Sequence, residues 1–139
     1  MDYLRAVARP NILSSALPAL MTAGALAALE VMKSDEGEAR LRKLHSLAKA
    51  ARDRLLGEGF QILGTGQLPV VCLLVGESVD VLRFASCLLE AGVLAIAFIW
   101  PAAPHHAARI RITPTALHEF EDIEALVNAC RSARETVNC

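Results

Sequence analysis

Aromatic side chains are scarce, with four Phe, one Tyr and one Trp in 139 residues. The interior must therefore be filled by Ala, Leu, Val and Ile, a set that suits helices packed closely on a sheet. An excess of charge of either sign is lacking too: 14 basic against 15 acidic side chains leave a net charge of −1, which argues against a nucleic-acid surface. The four cysteines, Cys72, Cys87, Cys130 and Cys139, are spaced 15, 43 and 9 apart, so there is no CxxC pair. That spacing indicates neither a zinc knuckle nor a dithiol redox motif. Cys72, Cys87 and Cys130 sit among aliphatic neighbours and read as small core residues in a reducing, cytoplasmic compartment. His105 and His106 are adjacent in a loop without a third ligand, so no metal site is expected. Lysine is rare as well, with Lys33, Lys43 and Lys49 the whole supply. No internal repeat or low-complexity tract divides the chain, and its length is about that of one domain.

What is present is apolar. Hydrophobic residues make up 54% and the mean hydropathy is +0.40, so some apolar surface is expected to meet another domain or subunit. Ile12 to Leu29 carries no charge over 18 residues and follows Arg5 and Arg9, close to the pattern of a signal peptide or membrane span. Against that, the run is entered through Pro10 and Pro18, is dominated by Ala, and holds Ser14, Ser15, Thr22 and Gly24. A buried, tightly packed helix accounts for it better than a membrane segment. By spacing alone Ser14 or Ser15 reads as a helix N-cap.

Downstream, Leu41, Leu44, Ala48, Ala51 and Leu55 recur at helical spacing, opposite Arg40, Lys43, Arg52 and Arg54, and Gly57 with Gly59 ends that helix. Glu36 to Arg40 and Glu38 to Arg42 are i,i+4 pairs, which marks the charged face as solvated. Phe60 to Leu63 and Pro69 to Val75 read as strands, joined through Gly64-Thr65-Gly66. That Gly-x-Gly leads into a strand and not a helix, so it reads as a turn and not a phosphate cradle. Ser78 caps a helix from Val79 to Ala91 with an apolar face of Val81, Leu82, Ala85, Leu88 and Leu89, closed by Gly92. Val93 to Trp100 reads as an apolar strand covered on both faces. A last helix, Glu119 to about Arg134, buries Phe120, Ile123, Leu126, Val127 and Cys130, with acids in its first turn and arginines in its last. The order predicts an α+β fold: a small, mostly antiparallel sheet with helices packed on it. The expected division is an N-terminal interface segment, 1–33, and a small α+β domain, 34–139.

Between the last strand-like run and the last helix stands Phe98-Ile-Trp-Pro-Ala-Ala-Pro-His-His-Ala-Ala-Arg-Ile-Arg-Ile-Thr-Pro-Thr-Ala-Leu-His118. In an extended segment Ile110 and Ile112 fall on one face while Arg109 and Arg111 fall on the other. Two guanidinium groups side by side match a carboxylate or phosphate in a planar, bidentate fork. Taken by spacing alone, arginines on the open face of a strand are more often solvated or paired structurally.

The proline loop, Ala-Arg-Ile-Arg, then Ala-Leu-His and an acidic helix start resemble the C-terminal end of the α-oxoamine synthases. So does Arg9-Pro10-Asn11-Ile12-Leu13-Ser14-Ser15-Ala16-Leu17-Pro18-Ala19, which is similar to that family's Arg-Pro-x-x-Phe-Ser-Thr-x-Leu-Pro-Pro-Ala with Leu13 for Phe and Ala19 for the second Pro. Gly92 stands in the family's Leu-x-x-x-Gly position. These enzymes use pyridoxal phosphate to condense an amino acid with an acyl-CoA, releasing carbon dioxide. The resemblance implies the small C-terminal domain of a fold-type I pyridoxal-phosphate enzyme. It implies that Arg111 grips the substrate carboxylate with Arg109 supporting, and that Ser14 and Ser15 approach the cofactor phosphate of a partner subunit. The position of His106 is usually glycine in that family, and His118 matches a histidine with a structural hydrogen-bonding role. None of the three lysines stands in the family's cofactor-lysine motif, so the resemblance implies a portion of a synthase that is not competent alone, with no catalytic residue of its own. It would work as a homo-oligomer or beside a large-domain partner. Two other readings stay open: a non-catalytic assembly or regulatory module pairing with a full-length synthase, and a secreted or anchored protein whose targeting segment is Met1 to about Ala28.

Overall fold

The computed structural model describes residues 2–15 and 17–137; Ala16 of the serine motif and Cys139 lie outside the described residues. Alternation along Ala108–Ile112 gives the fold its central strand. Ala108, Ile110 and Ile112 are buried on one face, with Arg109 and Arg111 half-buried on the other. This strand, β4, is flanked by β2 (Val71–Gly76) and β3 (Ile96–Phe98), and β1 (Ile62–Leu63) pairs with the far side of β2. The order is β1-β2-β4-β3 and every pairing is antiparallel. A bulge between Leu74 and Gly76 interrupts the β2–β4 register, and Gly76 takes a φ of 116° there.

Directly opposed residues of antiparallel strands share a face. Val71 and Leu73 therefore join Ile110 and Ile112 on the inner face, which the helices cover. Those helices are α4 (Asp35–Gly57), α5 (Ser78–Glu90) and α6 (Phe120–Val137), and they bring Leu47, Ala51, Leu55, Val81, Phe84, Leu88, Ile123, Leu126 and Cys130 into the same core. Phe84 and Phe60 meet edge to face at 6.4 Å, a favourable quadrupole arrangement in a core otherwise aliphatic. Burial pushes the Cys130 thiol up to about 12. Cys72 and Cys87, expected in the core, are only half-buried.

The helices end as the glycines dictate. After α4 the Phe60 N–H donates to the Leu55 carbonyl and Gly59, at φ 80°, to Leu56; after α5 Val93 donates to Leu88 and Gly92, at φ 81°, to Leu89. Each is a six-to-one and five-to-two pair of bonds around a left-handed residue that only glycine adopts cheaply. Ion pairs tie α4 and the residue after it to α6 and the residue before it: Lys43 Nζ lies 2.6 Å from Glu119, Arg54 pairs with Glu124, and Glu58 takes both Nε and Nη2 of Arg131 at 3.1 and 2.6 Å. The Arg131 hydrogen bond holds the Glu58 carboxyl below its usual range. Arg134 donates to the Glu58 carbonyl at 2.8 Å and holds its guanidinium carbon 4.4 Å from the Phe60 ring centroid.

Several expectations need correcting. The helix after Gly76 is capped by Glu77, not Ser78, and no side-chain bond makes the cap. Its buried stripe is Val81, Phe84 and Leu88, with Leu82 and Leu89 turned outward, because the sheet selects one of two apolar stripes that the sequence offers. Phe120 and Leu41 are exposed as well. The run Val93 to Trp100 contributes only a three-residue edge strand, and one of its faces is open, with Ile96 49% exposed.

The structure clusters into two units, one up to Glu38 and one from Ala39. The first holds α1 (Asp2–Val7), α2 (Arg9–Leu13) and α3 (Ala19–Met32). The uncharged run is thus broken between α2 and α3, and α3 has no buried residue at all, contrary to a tightly packed helix. Its apolar character runs all around it, as in helices surrounded on every side by protein. No helix among the described residues is long and apolar enough to cross a membrane. Ser34 closes the unit's last turn: its hydroxyl donates to the Val31 carbonyl at 2.7 Å and accepts from the Gly37 N–H at 3.3 Å. A Cβ at Gly37 would collide with the Val31 carbonyl oxygen.

Candidate functional site

Register places seven side chains on the outer face of the sheet: Leu63 of β1, Cys72 and Leu74 of β2, Arg109 and Arg111 of β4, and Ile96 and Phe98 of β3. Two cations thus stand in an apolar field, where a charge is poorly solvated and an anion opposite it is attracted more strongly than in water. The two arginines are not equivalent. Arg109 is tied to its own strand, its Nε donating to the Ala107 carbonyl at 3.0 Å. Arg111 makes no hydrogen bond or ion pair among the described residues, and its Nε is buried without an acceptor. What it does touch is Phe98, whose ring centroid lies 4.8 Å from the guanidinium carbon. The Nη edge is left to engage a carboxylate end-on through two parallel bonds.

Other half-buried arginines are spoken for. Arg52 donates to the carbonyls of Gly64 and Leu63, and Arg54 and Arg134 are engaged between helices. The loop that delivers β4 is held by its histidines. His105 stacks on Trp100 at 4.3 Å between centroids, and Trp100–Pro101 is a cis peptide. His106 sits at φ 59°, the left-handed region that its glycine counterpart in the resembled family would occupy freely, and its Nδ1 lies 2.6 Å from Glu77. That hydrogen bond, with the carboxylate charge, raises the His106 pKa. His118 accepts the Thr115 N–H on Nδ1 at 2.9 Å and thereby closes the turn before α6.

A result follows for His106→Gly. The glycine relieves backbone strain at every pH but deletes the pair with Glu77. A raised folded pKa means that the pair stabilises fully below the unfolded value of 6.5 and fades as pH rises through the folded value. The variant should therefore melt higher than the wild type, by a margin that is larger at pH 8.5 than at pH 5.5. Melting curves in which the margin shrinks with rising pH would contradict this account.

Ser14 and Ser15 lie in the other unit, exposed, in the break between α2 and α3; Ser14 is the C-cap of α2, and the N-cap of α3 is Pro18. Neither hydroxyl caps a helix, so the local reading of these serines is not realised. As for a pyridoxal cofactor, Lys43 and Lys49 belong to α4 on the covered side of the sheet, paired with Glu119 and Asp53. The outer face has no lysine. Its residues fit a carboxylate and do not fit an aldehyde that must be held through an imine.

The pattern of the family described as aminotransferase class I and II matches residues 1–130. The 8-amino-7-oxononanoate synthase of Thermoanaerobacter pseudethanolicus is 31% identical over 99% of this chain and 34% of its own length. That of Xanthomonas oryzae pv. oryzae is 34% identical over 98% and 33%. The chain thus spans about a third of the length of the curated relatives it matches. Among solved structures, Sphingomonas wittichii serine palmitoyltransferase superposes with a TM-score of 0.88 at 22% identity, over 99% of this chain and 34% of that one. The 8-amino-7-oxononanoate synthase of Francisella tularensis does so with 0.81 at 16% identity, over 99% and 39%. These superpositions carry the fold, and a further serine palmitoyltransferase with a TM-score of 0.90 was solved with pyridoxal phosphate.

Proposed function

The chain belongs to the aminotransferase class I and II family, on its α-oxoamine synthase branch, and from that premise we propose that it is the substrate-carboxylate-gripping portion of a pyridoxal-phosphate-dependent acyl-CoA:amino-acid C-acyltransferase. The observation that carries this reading is Arg111: half-buried, without a hydrogen bond or ion pair among the described residues, and set in an apolar face. A guanidinium held there without a protein acceptor suits a carboxylate brought by a ligand, which would bond end-on to the Nη edge. The amino acid is then fixed by its carboxylate, so that its Cα bonds are presented in one orientation. Arg109, bound to Ala107, supports the strand and adds positive potential without competing for the ligand. The cofactor supplies an electron sink when bound. Ser14 and Ser15, both exposed, are the hydroxyls that would reach its phosphate from a partner subunit in a homo-oligomer. The imine-forming lysine is supplied by residues outside these 139, so the chain alone is not catalytically competent.

Given pyridoxal phosphate, an α-amino acid and an acyl-CoA, the chain by itself should release no CoA thiol. A chimera in which it replaces the matching 138-residue stretch of the T. pseudethanolicus relative should do so. Turnover by the isolated chain, abolished by changing Lys33, Lys43 or Lys49, would overturn the proposal. A chimera that folds, binds cofactor and stays silent would favour a non-catalytic assembly module instead.

A further inference from the structure

We infer that Phe98 is the positioning residue of the carboxylate grip: its ring is a platform that fixes the plane of the Arg111 guanidinium. The inference rests on the reading of Arg111 given above. Phe98 lies directly across the β3–β4 pairing from Arg109, whereas Ile96 lies across from Arg111. The ring nonetheless meets Arg111, the diagonal neighbour, with the guanidinium carbon 4.8 Å from its centroid. Diagonal neighbours on an antiparallel pair are within reach of aromatic and long side chains. Arg109 does not compete for the ring, because its Nε is held at the Ala107 carbonyl.

The contact with the ring bears on the orphaned Nε. A long side chain without a polar partner would sample many rotamers and would lose that freedom on binding each ligand molecule. A ring beneath the guanidinium removes part of that freedom in advance and offers its negative face to a cation whose Nε finds no acceptor. It does so without occupying the in-plane donors, which stay open to two parallel bonds with a carboxylate. A leucine would preserve the apolar packing of the sheet face and lose the platform; a tyrosine would keep both. Phe98 touches no reacting atom in this account, and acts through Arg111 alone.

Two measurements test it. In the 139-residue chain, the Arg111 Nε–H resonance, assigned by its disappearance in Arg111→Lys, should be shifted upfield by the ring current. The shift should persist in Phe98→Tyr and vanish in Phe98→Leu, while backbone amide dispersion is kept in both. In the chimera described above, Phe98→Leu should raise the amino-acid KM by roughly three- to tenfold. The same variant should leave kcat and the acyl-CoA KM within about twofold, and Phe98→Tyr should restore the amino-acid KM. An unshifted Nε–H in the wild-type chain, or an amino-acid KM indifferent to Phe98→Leu when Arg111→Ala is severe, would overturn the platform and leave the carboxylate grip standing. If Arg111→Ala is itself without effect, the grip falls and the platform falls with it.

Discussion

Replacing Arg111 by alanine is expected to cost roughly 2–4 kcal/mol of amino-acid binding or transition-state stabilisation in an enzyme completed around this chain. That corresponds to a loss of about 30- to 700-fold in catalytic efficiency for the amino acid. The size follows from the setting. The side chain has no protein acceptor and stands among Cys72, Phe98 and Ile96, so its removal leaves a substrate carboxylate facing an apolar surface with nothing to replace the bonds. Lysine should recover only part of the loss, because it restores the charge without the planar pair of donors. Arg109→Ala should be milder, since that guanidinium is already tied to the Ala107 carbonyl. The measurement is kcat/KM with the amino acid varied and acyl-CoA saturating. Small, equal losses in the two alanine variants would mark Arg111 as an ordinary surface residue and end the carboxylate assignment.

The largest expected effect on stability belongs to Phe84→Ala. Phe84 is 1% exposed and packs edge to face on Phe60 in a core that has no other aromatic pair among the described residues. Truncation removes the ring's transfer free energy and leaves a cavity that stiff neighbours such as Val81 and Ile110 close poorly, for a cost of about 3–5 kcal/mol. Against the usual stability of a domain, about 5–15 kcal/mol, that is enough to leave the unit from Ala39 onward marginal. Urea denaturation should show the midpoint falling with the slope unchanged. A loss below about 1 kcal/mol would mean that the ring is not a structural member of the core.

Much of this arrangement is legible in the sequence, and the residues say why. Ala108, Ile110 and Ile112 alternate with Arg109 and Arg111 over five positions, and period 2 admits one reading of which set turns inward. Gly59 and Gly92 mark helix ends because a left-handed residue is needed there. Phe84 was missed because α5 carries apolar residues on two stripes, and only the position of the sheet chooses between Phe84 and Leu82. The strand from Val93 shrank to Ile96–Phe98 because pairing needs a neighbour, and β3 has one on a single side. The contact between Phe98 and Arg111 depends on the register of two strands joined by a loop, which local sequence does not encode. The run Ile12–Leu29 reads as buried on its composition, yet no residue of α3 is buried, since composition specifies that a surface be covered but not by what.

The strand order β1-β2-β4-β3 also bears on how the sheet comes into being. β1 with β2, and β3 with β4, are neighbours along the chain, so each pair can close as a local hairpin on a microsecond scale. The β2–β4 seam is different: it joins Val71 to Ile112, and α5 and β3 lie between. Its loop-closure entropy must be met before any of its hydrogen bonds form. The seam therefore carries the largest loop-closure cost in the sheet, and the outer face that carries Arg111 beside Cys72 exists only once it has formed.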